Sequence, residues 1–370
     1  MALPASAEVV VVGGGVMGAS ALYYLAAAGC RDCVLLERET LAAGSTSKAA
    51  GGIRAQFSDE LNIRIALECI DRYRAFSEQP GGEIDFKQWG YLFLLTTEPE
   101  VTSFSSSVEL QQRLGVPSQL IGPDEAGAIV PGLALGDVLA ATYCPIDGYA
   151  TPEAAVQGYA TGAAALGARI LQGCSVERIA VESGKVVGVE TGQGRVATER
   201  VILTAGVWSK ELGASAGVTI PVEPERRHVF FTEPGDPLPR ELPLTIDFAT
   251  GFYFHREGNG LLFGGREQTL EELAPIAAAR LPPLGELAVR GGWWGYYEVS
   301  PDHNALVGQT GDPAGLVYAT GFSGHGFQQA PVIGEHVALL ALGRPTPFDL
   351  SPFGVERFDG GVPRPELNVV

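Results

Sequence analysis

Glu8-Val-Val-Val-Val12 runs into Gly13-Gly-Gly15-Val16-Met17-Gly18, followed by Ala19 to Ala28, Gly29 and then Cys33-Val-Leu-Leu36-Glu37. The β-branched run has the composition of a buried parallel strand. Ala19 to Ala28 is rich in helix formers, and Gly29 supplies a C-terminal stop. The stretch therefore reads strand, glycine turn, helix, strand. Within Gly13-x-Gly15-x-x-Gly18 the first glycine permits a tight turn and the second lets backbone approach a pyrophosphate. The third allows close helix–strand packing. Val16 and Met17 lie in this turn as further cofactor-binding candidates, and the helix that follows offers free N–H groups and a positive dipole end that suit phosphates. Glu37 lies 19 residues beyond Gly18, where an acid meets a ribose hydroxyl pair. That acid disfavours a 2′-phosphate, although Arg38 beside it leaves NADP open. The fingerprint alone does not choose between FAD and NAD.

A chain of 370 residues is too long for one simple core, which predicts two structural domains. Hydrophobic residues at 46% and charged residues at 18% give a globular rather than a disordered balance. The net charge of −18 repels phosphate backbones and anionic membrane surfaces, so nucleic-acid binding is disfavoured. Five cysteines, Cys30, Cys33, Cys69, Cys144 and Cys174, are too few and odd in number for a disulfide framework. A reducing cytoplasm is the simplest inference. Cys30-Arg-Asp-Cys33 has no second pair to complete a zinc site and reads as incidental thiols. Val9 to Ala28 lacks a basic start and is broken by glycines, so it does not read as a signal peptide. No other run approaches the length of a membrane span.

Downstream, Ser58-Asp-Glu60 begins a helix with Leu61, Ile65, Cys69, Tyr73 and Phe76 at helical spacing, broken by Gln79-Pro-Gly-Gly82. Tyr91 to Leu95 is strand-like, and Leu110 to Leu114 with its flanks reads as a helix. Pro152 to Leu166 is a helix stopped by Gly167, followed by short strands around Arg169–Leu171, Val176–Val181 and Val186–Glu190. Val201 to Leu203 returns to the buried-strand pattern. Val229–Phe231, Phe252–Phe254 and Leu261–Phe263 are further strand segments. Leu316 to Leu342 repeats strand, glycine turn and helix, with the helix predicted over Pro331 to Leu342.

Four segments carry a family resemblance. Gly44-Ser45-Thr46-Ser47-Lys48-Ala-Ala-Gly51-Gly52-Ile53-Arg54 resembles the segment that runs past the flavin in sarcosine oxidase-like enzymes of the D-amino-acid oxidase superfamily. Leu203-Thr-Ala205-Gly206-Val-Trp208-Ser209 is similar to that family's second cofactor-touching strand. Trp294-Gly295 through Asp302 and Gly321-Phe-Ser-Gly324-His325-Gly326-Phe327 are similar to its final flavin-binding stretch. The resemblance runs in order from about Val9 to Ala341 and is nearest to sarcosine oxidase beta subunits and the proline and dimethylglycine dehydrogenases. It implies non-covalent FAD held by these segments, with Val176 and Gln328 also placed at the cofactor. It implies an α/β fold: a discontinuous Rossmann-like FAD-binding domain of glutathione-reductase type over 1–85, 145–220 and 293–370. A smaller α+β substrate domain, its sheet mostly antiparallel, would roof the flavin over 86–144 and 221–292.

The activity implied is oxidation of a C–N bond beside a carboxylate in a small secondary, tertiary or cyclic amino acid. A hydride equivalent passes to the flavin and the imine hydrolyses. No metal is needed, and the five histidines show no metal-ligand spacing. A planar guanidinium suits the substrate carboxylate, and Arg54 occupies the family's position for it. Tyr253 falls near a family tyrosine of the substrate pocket, and Arg266 where a family histidine sits. His255 and His325 are candidate proton acceptors. The chain departs from the pattern at three places. Gln328 stands where sarcosine oxidases carry a second, lysine contact to the carboxylate. Gly295 stands where monomeric relatives tether flavin through cysteine. Leu262 stands at the position of an oxygen-activating lysine, which favours a dehydrogenase or slow oxidase, with an electron-accepting partner subunit implied by resemblance. Three alternatives stand beside this expectation: glycine or D-amino-acid oxidation, a flavin-bound assembly or scaffold protein without amine turnover, and an NAD-dependent dehydrogenase.

Overall fold

The computed structural model describes residues 2–235, 238–360 and 364–369. Val9–Val12 forms the centre of a six-stranded sheet, because every side chain on it is apolar and both faces are covered. The strand order is Leu306–Gln309, Leu316–Thr320, Val201–Leu203, Val9–Val12, Cys33–Leu36, Arg169–Leu171. All neighbours run parallel except Leu306–Gln309, which turns back on Leu316–Thr320.

The pleat sends alternate side chains to opposite layers. Val9 and Val11 join a core with the helices Val16–Ala27, Glu60–Arg74, Pro152–Ala165 and Gly326–Ala341. Val10 and Val12 face a second core that includes Ile179, Val186, Val189 and Val196, from the three-stranded meander of Val176–Glu182, Lys185–Thr191 and Gly194–Val196. Burying each valine contributes about 1.5–3 kcal/mol, which is why the central strand tolerates no polar residue. Cys30 and Cys33 are both buried and free; the Cys33 thiol donates to the Cys30 carbonyl at 3.6 Å.

The second sheet has eight strands, in the order Val289–Val299, Glu223–Thr232, Gly260–Gly264, Tyr253–Glu257, Leu244–Asp247, Tyr91–Leu95, Ala140–Cys144, Gln119–Ile121. It is antiparallel except where Leu244–Asp247 meets Tyr91–Leu95. Its back is covered by helices including Pro123–Ile129 and Leu270–Arg280, packed through Leu92, Leu94, Ala126, Phe254, Phe263, Leu273 and Ala277. Under that cover Arg280 is buried between Asp247, at 2.8 Å from its Nε, and Asp137. A short ladder, Gly52–Ile53 against Gly148–Tyr149, bridges the two halves.

Three sequence expectations change. The strand Val289–Val299 pairs with Glu223–Thr232 along its length, up to Val299 opposite Glu223. A boundary at 292/293 therefore cuts a continuous ladder, and residues 293–299 stay in the roof sheet. The helix expected around Leu110–Leu114 is Glu98–Arg113, started by a capping box in which Thr97 accepts from the Glu100 amide and Glu100 reaches back. The last helix begins at Gly326, not Pro331. An internal proline normally costs a helix because its missing N–H leaves the carbonyl four residues back unpaired. Here that carbonyl, on Phe327, accepts the Tyr73 hydroxyl at 2.6 Å, so the helix passes through Pro331 intact.

Candidate active site

The glycine turn is set by close approach. A Cβ on Gly13 would lie 2.5 Å from the Thr204 carbonyl, and Gly13 has φ +107°. A Cβ on Gly18 would lie 1.9 Å from the Gly13 carbonyl. Gly18 thus packs helix on turn and stays behind the lining, as its place in the fingerprint requires. In front of the turn opens a cavity of about 980 Å³, at the upper end of ordinary ligand pockets and roomy enough for a dinucleotide. Gly13, Gly15, Val16, Met17, Glu37, Arg38, Ser45, Thr46, Lys48, Val176, Ala205, Gly206, Trp208, Gly295, Gly324, Gly326 and Phe327 all line it.

Glu37 is already organised. Its carboxylate accepts from the Gly14 amide at 2.6 Å and the Glu39 amide at 2.7 Å, fixing the acid at the end of the second strand. Arg38 stacks on Trp208 with 3.7 Å from guanidinium carbon to ring centre, which closes the wall of the same end. At the opposite end the first turn of the last helix, Gly326 and Phe327, faces the cavity. That turns free N–H groups and a positive dipole end toward the cavity, a setting that favours negative charge. Gly295 opposes the side chain of Lys48; a Cβ there would lie 2.5 Å from the Lys48 Cβ.

Several expected residues stand behind the lining. Ser47 donates to the Gly44 carbonyl at 3.4 Å. Gly51 packs on the Ala150 carbonyl, Gly52 on the Tyr91 hydroxyl and Gly321 on Leu306, while Ile53 pairs with Gly148. Gln328 is buried, and its Oε1 accepts the Arg54 amide at 2.8 Å. Tyr253 is half-buried, with its hydroxyl against Gly264, and desolvation drives its pKa up. Arg266 is turned away from the cavity: it donates to the carbonyls of Ala249 and Phe248 at 3.2 and 3.4 Å and braces that exposed turn. Its expected place beside the substrate is thus corrected, because a neighbouring turn with unpaired carbonyls captures the guanidinium. His255 sets its ring nitrogens against the carbonyls of Arg256 and Ala50, and burial lowers its pKa to about 4. Leu262 lies in an apolar patch with Val229 and Phe231.

Arg54 is 4% exposed and has no carboxylate within ion-pair distance among the described residues. Of the five N–H groups a guanidinium offers, one meets the Gln56 carbonyl, one the Asn368 carbonyl at 2.6 Å, and one His325 Nε2 at 3.1 Å. Phe57 and Phe93 flank it at 4.3 and 5.5 Å. A buried cation without an ion pair is costly, and burial lowers its pKa. His325 next to it is held neutral, first by burial and then by the Arg54 charge.

The sequence reading did not single out Arg227 or Trp293, and took Trp294, Tyr297 and Glu298 only as members of a flavin-binding stretch. Arg227, Trp293, Trp294, Tyr297 and Glu298 line the cavity. Burial raises Glu298 to about 7; its carboxyl meets the Thr320 hydroxyl at 2.8 Å and the Phe322 amide at 3.4 Å. Asp147, likewise buried and raised to about 7, accepts from the Ala55 amide and Gln56 Nε2. The available signal was the aromatic cluster Trp293-Trp294-Gly295-Tyr296-Tyr297, which does not by itself say that the strand walls a cavity.

The sequence profile of the FAD dependent oxidoreductase family matches residues 8–340. The chain is 31% identical to 4-methylaminobutanoate oxidase (formaldehyde-forming) of Paenarthrobacter nicotinovorans over 97% of its own length and 46% of that protein. It is 30% identical to mitochondrial dimethylglycine dehydrogenase of Homo sapiens over 95% of its length and 44% of that protein. It thus spans about half the length of these two curated relatives. Superposed on the crystal structure of L-proline dehydrogenase from P. horikoshii, it has a TM-score of 0.91 at 34% identity, covering 98% of this chain and all of the other. Glycine cradle, ribose acid, cavity-facing helix end and these likenesses coincide: the chain belongs to the FAD dependent oxidoreductase family, and FAD is its cofactor.

Proposed function

We propose that this chain oxidises the C–N bond of a small secondary, tertiary or cyclic amino acid, with imine hydrolysis following. The observation that carries the reading is the shape of the cavity. One wall is the Gly13–Gly15 turn and the other is the roof strand bearing Tyr297 and Glu298, with the buried guanidinium of Arg54, which has no ion pair among the described residues, behind them. Such an arrangement suits a bound dinucleotide at one end and a small carboxylate-bearing substrate at the other. Bound FAD supplies the chemistry, accepting two electrons and a hydrogen from the carbon beside the substrate nitrogen.

The chain's own residues orient, shield and balance charge. Gly13, Gly15 and the amides of Val16 and Met17 would hold the pyrophosphate, Glu37 the ribose, and the Gly326 helix end the charge of the reduced ring. Arg54 would anchor the substrate carboxylate, with His325 kept neutral beside it and Gln328 fixing its main chain. The roof strands exclude water, which strengthens each of these polar contacts. Leu262, in its apolar patch, brings no cation to the flavin from that strand, which supports a dehydrogenase or slow oxidase. The relatives named for N-methylated amines and for L-proline support the same substrate range.

The test is anaerobic titration of the purified holoprotein with sarcosine, dimethylglycine, proline, glycine and D-alanine, followed by flavin absorbance. Bleaching by one of the first three is the expected result. Bleaching only by glycine or D-alanine moves the substrate to a primary amine. A yellow protein that none of them reduces removes the amino-acid reading and favours a flavin-bound assembly or scaffold protein. Readmitting air then measures reoxidation, expected to be slow.

A further inference from the structure

We infer that Arg227 is a second substrate anchor, closing on the substrate carboxylate from the roof while Arg54 holds it from the loop side. The inference rests on the amino-acid reading above. Arg227 lies on the long strand Glu223–Thr232, directly opposite Gly295 in the ladder. The space above Gly295 is taken by the Lys48 side chain, so Arg227 is placed by its own strand. The Arg227 side chain is only 16% exposed and lines the cavity. Arg38 and Lys48 also line that cavity, but each is engaged with a tryptophan, Trp208 and Trp293 respectively.

Among the described residues Arg227 has one ionic contact, Glu225 at 2.5 Å, and that carboxylate is 44% exposed at the rim. A rim pair is worth little, because water competes for both partners. Exchanging or sharing Glu225 with an enclosed carboxylate therefore costs little and gains charge-assisted hydrogen bonds. Tyr297 sets Arg227 in the cavity wall. Its ring centre is 5.4 Å from the Arg227 guanidinium, and both residues line the cavity.

The assignment also accounts for Gln328. That side chain is buried and spent on the Arg54 main chain, so it brings no charge to the pocket. Arg227 supplies the second positive group from another element. A guanidinium there also offers planar, two-point contact that a lysine lacks.

The experiment uses the FAD-loaded protein and two probes that cannot be dehydrogenated, 2-furoate and its neutral counterpart 2-furamide, with binding read from the flavin absorbance. In Arg227→Gln the Kd for 2-furoate is expected to rise about 10–100-fold, while the Kd for 2-furamide moves little. Glu225→Gln, which frees the guanidinium, is expected to tighten 2-furoate a few-fold. An unchanged flavin spectrum and thermal midpoint in the absence of ligand shows that the variants are folded. If Arg227→Gln binds 2-furoate like the parent, or loses both probes alike, the anchor is overturned while the amino-acid reading stands. If the parent protein binds 2-furoate no better than 2-furamide and no amino acid reduces its flavin, the reading itself falls and the anchor with it.

Discussion

The six-stranded sheet presents main chain to the cavity, whereas the eight-stranded sheet presents side chains to it. In the function proposed above, the glycine turn, the amides after it and the Gly326 helix end would do the binding in the first, with side chains mainly holding them in place. Glu37 bonding the Gly14 amide and Tyr73 supporting the Phe327 carbonyl are two such supports. In the second, Arg227, Tyr297 and Glu298 project from strands whose backbone is occupied with its own ladder. A main-chain site tolerates almost any side chain but no extra Cβ at a point of contact. A side-chain site tolerates changes of neighbours yet depends on each charge it carries.

The largest expected effect breaks the main-chain half. Gly18→Ala would put a methyl 1.9 Å from the Gly13 carbonyl, and the expected outcome is loss of bound flavin, measured as the ratio of visible to ultraviolet absorbance. Parent-like flavin content in that variant would refute the close-approach account. In the roof, Arg280→Met leaves Asp247 buried without its partner and should cost about 3–5 kcal/mol in denaturant unfolding. A loss under 1 kcal/mol would show that the roof does not depend on its buried charges.

A third prediction concerns pH. Glu298 and Asp147 are each raised by burial to about 7, from ordinary values of 4.5 and 3.8. As pH rises from about 4 the unfolded chain releases these protons first, while the folded chain keeps them until about 7. Stability should therefore fall across that window and level off above it. Glu298→Gln in the FAD-free protein should flatten the thermal midpoint against pH without abolishing the slope, since Asp147 remains. An unchanged slope would mean that Glu298 is better hydrated than its surroundings indicate. The smallest effect tests the support of the main-chain half: Tyr73→Phe removes the donor to Phe327 and should destabilise by about 1–3 kcal/mol, with flavin content retained.

Much of the first half was legible before any fold was known. Gly13, Gly15, Gly18 and Glu37 are specified within one strand–turn–helix–strand unit, and such a unit is local enough to be read residue by residue. The last helix was placed five residues late because a proline at 331 is an ordinary boundary signal. Only a tyrosine from another helix, 254 positions earlier in sequence, made that boundary unnecessary. Arg266 was misplaced for a similar reason: nothing near it in sequence announces the carbonyls of Phe248 and Ala249 that take its guanidinium.

By itself the sequence determined the nucleotide-binding unit, the α/β class with a strand-rich second half, and the family through four ordered segments. Tertiary structure alone decided that Gly292 to Glu298 wall the cavity, that Gln328 serves the Arg54 main chain, and that Arg227 lies beside Tyr297. The division has a physical cause. The glycine turn is fixed largely within its own unit, as the approach of Gly18 to the Gly13 carbonyl shows, with Thr204 of the neighbouring strand end as a distant support. The pocket wall is fixed by the register of strands that pair across long stretches of sequence, and a shift of one residue would turn every one of its side chains to the opposite face.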